Sequence, residues 1–362
     1  MPMHPLIGHR HARTRLARAR RSGRLPQVMI VSGPAGVGKQ RFALWLAALL
    51  LCERTGDEPC GACRSCRLVD GLAHPDVHWF VPIPRPKAAD PEKETAEAAE
   101  ALAQVMEERR ERPLYAAPDG MASHALPSVR LLQQRASLTA AEGGARVFII
   151  GDAERLVPQE SSPDAANALL KLLEEPPSGA YFILTAADPR RLLPTIRSRA
   201  APLRLGRLTD AEVKEFVVAH VRPAPAAEGL DERVARAEGS LGTAVSEAGG
   251  DKARDAAEAL IEAVAAGATA RLERALKQGA FAARGDFSAM LDALAETLGD
   301  AAREASGEAS RRPLPRALRR PRDTGALLAA IERVAEAREA AAGNVNPQLL
   351  LAVLGEELAE VL

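Results

Sequence analysis

The run VMIVS (28–32) passes through GPAGVGK (33–39) into the helix-like RFALWLAALLL (41–51), and no other stretch constrains the fold as tightly. An unbroken apolar run of that length suits a parallel strand covered on both faces. Gly33 and Gly38 are separated by four residues and precede Lys39, with Gly36 between them: the G-x-x-x-x-G-K core of a phosphate-binding loop. Strand, turn and helix in that order aim backbone N–H groups at phosphate oxygens, with Lys39 reaching the β and γ phosphates. The next position should carry a Ser or Thr hydroxyl that helps hold Mg²⁺. It is Gln40, whose amide oxygen on a longer arm is a poor geometric substitute. Nucleotide binding stays compatible with this loop, metal-assisted hydrolysis is weakened, and a vestigial loop kept for its turn is the alternative.

Further strands are expected at HWFVPI (78–83), RVFII (146–150), AYFILTA (180–186) and PLRL (202–205), with helical spacing in SVRLLQQRASL (128–138). Strands alternating with helices give a three-layer α/β domain with a parallel sheet. Strand signals stop near 206. LTDAEVKEFVVAHV (208–221) and DERVARAEGSLGTAVSEA (231–248) read as a small helical domain. From about 252 the chain is helical except for the Pro/Arg segment RRPLPRALRRPRD (311–323). Apolar residues make up 47% but aromatics only 3%, so the cores must be built from Leu, Val, Ile and Ala. The stretch 87–112 is charged and Ala-rich, and is expected to be a solvated helical insertion, an exposed spacer.

Formal charge cancels, with 48 basic and 48 acidic side chains, so bulk charge names no partner. No acidic residue precedes Glu53, whereas arginines recur from Arg10 to Arg41; this start reads as a mature basic helix. Neither it nor 311–322 is assigned to DNA: the N-terminal arginines suit a nucleotide pocket or solvent better, and the second run falls in the helical C-terminal part of the chain. No apolar run approaches a membrane span, and a soluble, cytoplasmic protein is expected.

All four cysteines fall in CERTGDEPCGACRSC: Cys52, Cys60, Cys63 and Cys66. Two overlapping C-x-x-C steps with a fourth cysteine at a helix end suit tetrahedral, structural Zn²⁺. His74 and His78 are read as ordinary residues of the following loop and strand.

A working phosphate-loop ATPase ends a later strand in Asp–Glu. Here the strand runs VFIIGDAERL (147–156). If Ile150 is its last residue, Gly151 takes the Asp place and Asp152 the Glu place; slid by one, Asp152 is restored and Ala153 replaces the Glu. Either register loses one carboxylate.

Downstream, ANALLKLLEEPP, a strand, a D-P-x-x-L-L step and T-I-x-S-R (within 165–200) resemble the clamp-loader branch of the AAA+ ATPases. The cysteine cluster, SLTAAEGGARVFII (137–150), HPDVHW (74–79) and NVNPQLLLAVL (344–354) extend the likeness along nearly the whole chain, with 87–112 the main departure. Within that branch the chain is most similar to delta-prime subunits of bacterial DNA polymerase III, with the gamma/tau motor subunits as the alternative. The resemblance implies an AAA+ domain over 1–206 with a five-stranded parallel sheet and the zinc module at 52–66. A helical lid (207–250) and a helical collar (251–362) would follow. It implies that Arg199, in Ser198–Arg199–Ala200, is an arginine finger acting in trans on a neighbour's ATP. It also marks Gly239–Leu241 as a sensor segment whose arginine is replaced by Gly242–Thr243, and leaves the place of the first sensor, near Thr185, unsettled. The implied partners are gamma/tau-like and delta-like subunits, the sliding clamp, and primer-template DNA through the assembled complex. The implied role is a subunit that hydrolyses little or nothing itself; the alternative is a motor that hydrolyses ATP.

Overall fold

The computed structural model describes residues 4–111, 122–142, 144–156, 164–221, 227–245, 249–278, 284–310, 313–320, 322–341 and 345–362. Residue 112 of the expected insertion, 246–248 of the expected small helical domain, 311, 312 and 321 of the Pro/Arg segment, and residue 344 lie outside them. The chain divides into two compact units, Met1–Val245 and Ser246–Leu362.

The first unit runs α1 (Arg10–Arg21), β1 (Val28–Ser32), α2 (Lys39–Leu51), α3 (Arg64–Asp70), β2 (Val77–Phe80), α4 (Pro91–Glu111), α5 (Leu126–Ser137) and β3 (Arg146–Ile150). It continues with α6 (Asp164–Glu174), β4 (Ala180–Ala186), α7 (Pro194–Arg197), β5 (Ala201–Arg204), α8 (Asp210–His220), α9 (Ala227–Ala237) and α10 (Leu241–Val245). The five strands form one parallel sheet in the order β2-β3-β4-β1-β5. Every residue of β1 and β3 is buried, so both faces of the sheet are covered, as continuous apolar runs require. The expected strands at 28–32, 146–150 and 180–186 are found at those bounds, and those at 78–83 and 202–205 shift by a residue or more at their ends. Phe148 stacks on Phe182 at 5.0 Å; most of the remaining core is aliphatic.

The central position of β1 sets the site. Its C-terminal end lies between those of β4 and β5, with Ser32 opposite Ala186 and Arg204. The glycine-rich turn therefore emerges at the carboxyl edge of the sheet, where ligands of open α/β sheets bind.

The insertion is helical, but it is not a solvated spacer. Thr95, Ala98, Leu102 and Arg109 of α4 are buried, and Ala98 and Leu102 belong to the main core. Their spacing of three, four and seven residues puts them on one helix face. The charged majority of the segment masks that face in the composition.

Residues 208–245 have an apolar cluster of their own, built from Leu208, Val213, Val217, Val221, Leu230, Val234, Ala237 and Ala244. Thr209 opens α8 with a reciprocal capping box to Glu212. The second unit is α-helical: α11 (Gly249–Ala266), α12 (Ala268–Leu276), α13 (Arg284–Ala305), α14 (Thr324–Ala340) and α15 (Pro347–Val361). In its Pro/Arg segment, Leu314 and Leu318 are buried, while Arg319 and Arg322 donate to the carbonyls of Leu314 and Ala317. Those two guanidinium groups brace their own turn. Among the described residues, no helix is long and apolar enough to cross a membrane.

Candidate functional site

The phosphate loop has the shape its glycines allow. A side chain on Gly33 would collide with the Leu205 carbonyl beyond β5, and one on Gly36 (φ +72°) with the Ser240 hydroxyl. The Gly242 N–H donates to the Gly36 carbonyl at 3.1 Å, so the start of α10 lies directly on the loop. Gly38 is the N-cap of α2 and offers no side-chain acceptor to the first-turn N–H groups.

Lys39 is buried, and its Nζ donates to the carbonyls of Gly33 (2.9 Å) and Pro34 (2.8 Å) within its own loop. Burial lowers its pKa, against the opposing pull of the Glu154 and Asp152 charges. Gln40 points to the end of β3. Its Nε2 donates to Asp152 Oδ2 at 3.0 Å, and its Oε1 accepts from Arg109 Nη1 at 3.4 Å. The structure thus brings together the sequence-expected residues Gly33, Gly36, Gly38, Lys39, Gln40 and Asp152.

β3 ends at Ile150, so Gly151 is the first residue beyond the strand, and Asp152 follows in the left-handed region (φ +50°). The Asp152 N–H donates to Thr185 Oγ1 at 3.1 Å, which places the buried Thr185 beside this turn. Glu154 was not singled out by sequence. Its Oε1 accepts from the Ala187 N–H at 2.9 Å, and burial raises its pKa. His124 was also missed: it is fully enclosed and contacts the Gly151 carbonyl through Nε2 at 2.7 Å. Neither residue belongs to a spacing pattern. Arg109 lies on the buried stripe of α4, whose small and charged members gave it almost no sequence signal.

Burial lowers the pKa of His124 to about 4, and that of His78 likewise to about 4 with help from the Arg135 charge. In the unfolded chain both should titrate near 6.5. Between those values the unfolded state binds more protons, so stability is full above pH 6.5 and falls as pH drops towards 4. For His124 the loss should be on the order of 3 kcal/mol. Urea midpoints measured from pH 7 to 4.5 should decline, and decline less in His124→Gln, which keeps a donor for Gly151. Parallel curves for the two proteins would refute the assignment.

The cysteines form a second site. Cys52 caps the end of α2, Cys63 is the N-cap of α3, and Cys66 lies in its first turn. All four Sγ atoms lie within 4.8 Å of one another, with Cys60 and Cys66 4.0 Å apart. A Zn–S distance of about 2.3 Å implies a tetrahedron edge of about 3.8 Å, so this donor set fits a metal after a small contraction. Backbone N–H groups of Cys60, Cys63 and Cys66 point at the sulfurs of Cys52, Cys60 and Cys63 at 3.3–3.4 Å. Such bonds from Ala62 and Cys63 lower the Cys60 thiol to about 6, whereas burial raises Cys66. A bound dication would hold all four as thiolates. The acidic loop of this module meets the basic first helix: Arg13 pairs with Glu58 and Arg21 with Asp57, each at 2.7 Å. That accounts for two arginines of the basic start without nucleic acid.

Arg199 lies between α7 and β5. Its guanidinium pairs with Glu174 Oε1 at 2.5 Å and donates to the Thr195 carbonyl (2.9 Å) and Ser198 Oγ (3.2 Å). Its side chain remains 34% exposed. None of these partners belongs to the chain's own phosphate loop.

The chain is similar to known proteins over the part that carries both sites. A family model described as DNA polymerase III, delta subunit, matches residues 8–209. The DNA polymerase III subunit delta-prime of Pseudomonas aeruginosa is 33% identical over 59% of this chain and 53% of its own length. The subunit tau of Escherichia coli is 29% identical over 67% of this chain and 31% of its own. The chain thus spans about half the length, or less, of these curated relatives. A gamma subunit-related DNA polymerase III protein of Thermotoga maritima aligns over 95% of this chain and 98% of its own at 16% identity, with a TM-score of 0.39.

Proposed function

From the premise that the chain belongs to the DNA polymerase III delta-subunit family of clamp loaders, we propose that it is a delta-prime-like subunit that helps load the sliding clamp onto primed DNA. In this reading it hydrolyses little or no ATP itself and lends Arg199 to the ATP site of a neighbour. Residues 207–250 serve as the lid and 251–362 as the collar through which gamma/tau-like and delta-like subunits assemble. Contact with primer-template DNA comes through the assembled complex in the cytoplasm, and zinc at Cys52, Cys60, Cys63 and Cys66 is structural.

The observation that carries this reading is the pairing of Gln40 with Asp152. Where a phosphate-loop enzyme needs a hydroxyl and carboxylates around a cation, Gln40 presents N–H to the carboxylate, and Gly151 supplies no side chain. The positions do not fit Mg²⁺, so no hydrolytic step is assigned to this pocket. The chemistry left to the chain is the guanidinium of Arg199. In the neighbour's site it would stabilise charge on the phosphoryl group in transfer, exchanging for it the carbonyl, hydroxyl and carboxylate acceptors that hold it here.

The purified chain alone should turn over ATP no faster than its Lys39→Ala variant. Turnover by the isolated monomer that Lys39→Ala abolishes would favour the gamma/tau-like motor instead.

A further inference from the structure

Gln40 and Gly151 are two halves of one steric arrangement. A Cβ on Gly151 would lie 3.0 Å from Gln40 Nε2 and 3.1 Å from its Cδ, so the long amide fills space that a side chain at 151 would need. The amide is oriented from both ends, with Nε2 against the Asp152 carboxylate and Oε1 against the Arg109 guanidinium. Turned over, it would set oxygen against carboxylate and N–H against guanidinium. Arg109 is itself held in place. It is 3% exposed, its guanidinium carbon lies 3.9 Å from the centre of the Trp79 ring, and Ala98 and Leu102 anchor its helix in the core.

We propose that Arg109 is a positioning residue that keeps divalent cations out of the phosphate loop, by fixing the Gln40 amide so that its N–H₂ occupies the Asp152 carboxylate. Hard cations such as Mg²⁺ need oxygen donors with free lone pairs. Here Oδ2 of the Asp152 carboxylate already accepts a hydrogen bond from Gln40, and a positive charge stands one side chain behind the amide. The inserted helix α4 thereby does more than fill a core. It carries the group that decides which ions the loop accepts. This deepens the non-hydrolysing reading and rests on it.

The test uses the full chain, with ADP and Mn²⁺ as probes and bound Mn²⁺ read by electron paramagnetic resonance. The wild type should bind no Mn²⁺ beyond that held by ADP free in solution. Gln40→Thr with Gly151→Asp rebuilds the oxygen donors and should bind Mn²⁺ weakly. In the wild-type background, where Gln40 is kept, Arg109→Met preserves bulk over Trp79 but removes charge and donor, and should raise Mn²⁺ affinity at least tenfold over the wild type by letting the amide turn. Arg109→Lys in the same background keeps the charge without the planar fork, and should give a smaller rise. It serves in place of the methionine variant if circular dichroism shows the latter unfolded.

Mn²⁺ held at the wild-type loop and lost in Lys39→Ala would overturn the proposal. So would an affinity unchanged by either Arg109 substitution, or the absence of Mn²⁺ binding in the rebuilt variant. If clamp-loader turnover still depends on Arg199 in those cases, only the metal-exclusion inference falls and the trans-acting reading stands.

Discussion

Arg199→Ala is expected to lower ATP turnover of a reconstituted clamp loader by about 10³-fold at the site it serves, the lower end of what arginine fingers contribute. The fold should hardly notice the change. Arg199 is partly exposed and its local bonds are an ion pair with Glu174, a carbonyl and a hydroxyl, which are weak contributors at a surface. Lys39→Ala in the same complex should change turnover little, because the lysine is bonded to its own loop carbonyls. The two variants therefore separate a guanidinium acting elsewhere from a pocket acting here. Glu174→Gln sharpens the contrast: it frees the guanidinium from its carboxylate without removing it and should leave turnover intact. If Arg199→Ala retained wild-type turnover and Lys39→Ala lost it, the assignment would be reversed.

The largest effect on stability is expected from loss of zinc at the proposed four-cysteine site. Structural zinc supplies roughly 10–16 kcal/mol of apparent binding energy in small zinc-dependent folds. The 52–66 segment has little else to fold around, since its buried residues are chiefly the cysteines themselves. Cys66→Ser, at a position 1% exposed, should release zinc and lower the melting temperature by about 10 °C or more. Limited proteolysis should then cut between Cys52 and Cys66 before any strand of the sheet. Zinc retention should also weaken as pH falls, because protons compete with the metal for the thiolates. Metal analysis of freshly reduced protein that finds no zinc would end this argument.

The sheet was legible because each of its inner strands is an uninterrupted apolar run: VMIVS, RVFII and AYFILTA emerge at the bounds their composition suggests. The phosphate loop and the cysteines were legible because their chemistry depends on spacing along the chain. Arg109, Glu154 and His124 were hidden for the opposite reason. Each is brought to the loop from a separate element by tertiary packing, and none forms a local pattern with Lys39. The α4 stripe was a near miss. Thr95, Ala98, Leu102 and Arg109 share a face, but small and charged members carry almost no hydrophobic signal. Thr185 became interpretable only when β4 was in register with β3, Leu184 opposite Ile150, which set its hydroxyl beside the turn after β3.

The place of β1 in the sheet also bears on how the chain folds during synthesis. β1 is the first strand made, yet its two neighbours are β4 and β5, the last two. Just before it, the Gln27 side chain donates to the carbonyl of Pro177, 150 residues further on. At the pace of bacterial translation that wait is on the order of 10 s, with VMIVS unpaired on both edges throughout. The first unit should therefore close late and in one step, as β4 and β5 leave the ribosome. A nascent chain stopped before residue 180 should remain protease-sensitive and bind holdase chaperones, whereas one released past 204 should not.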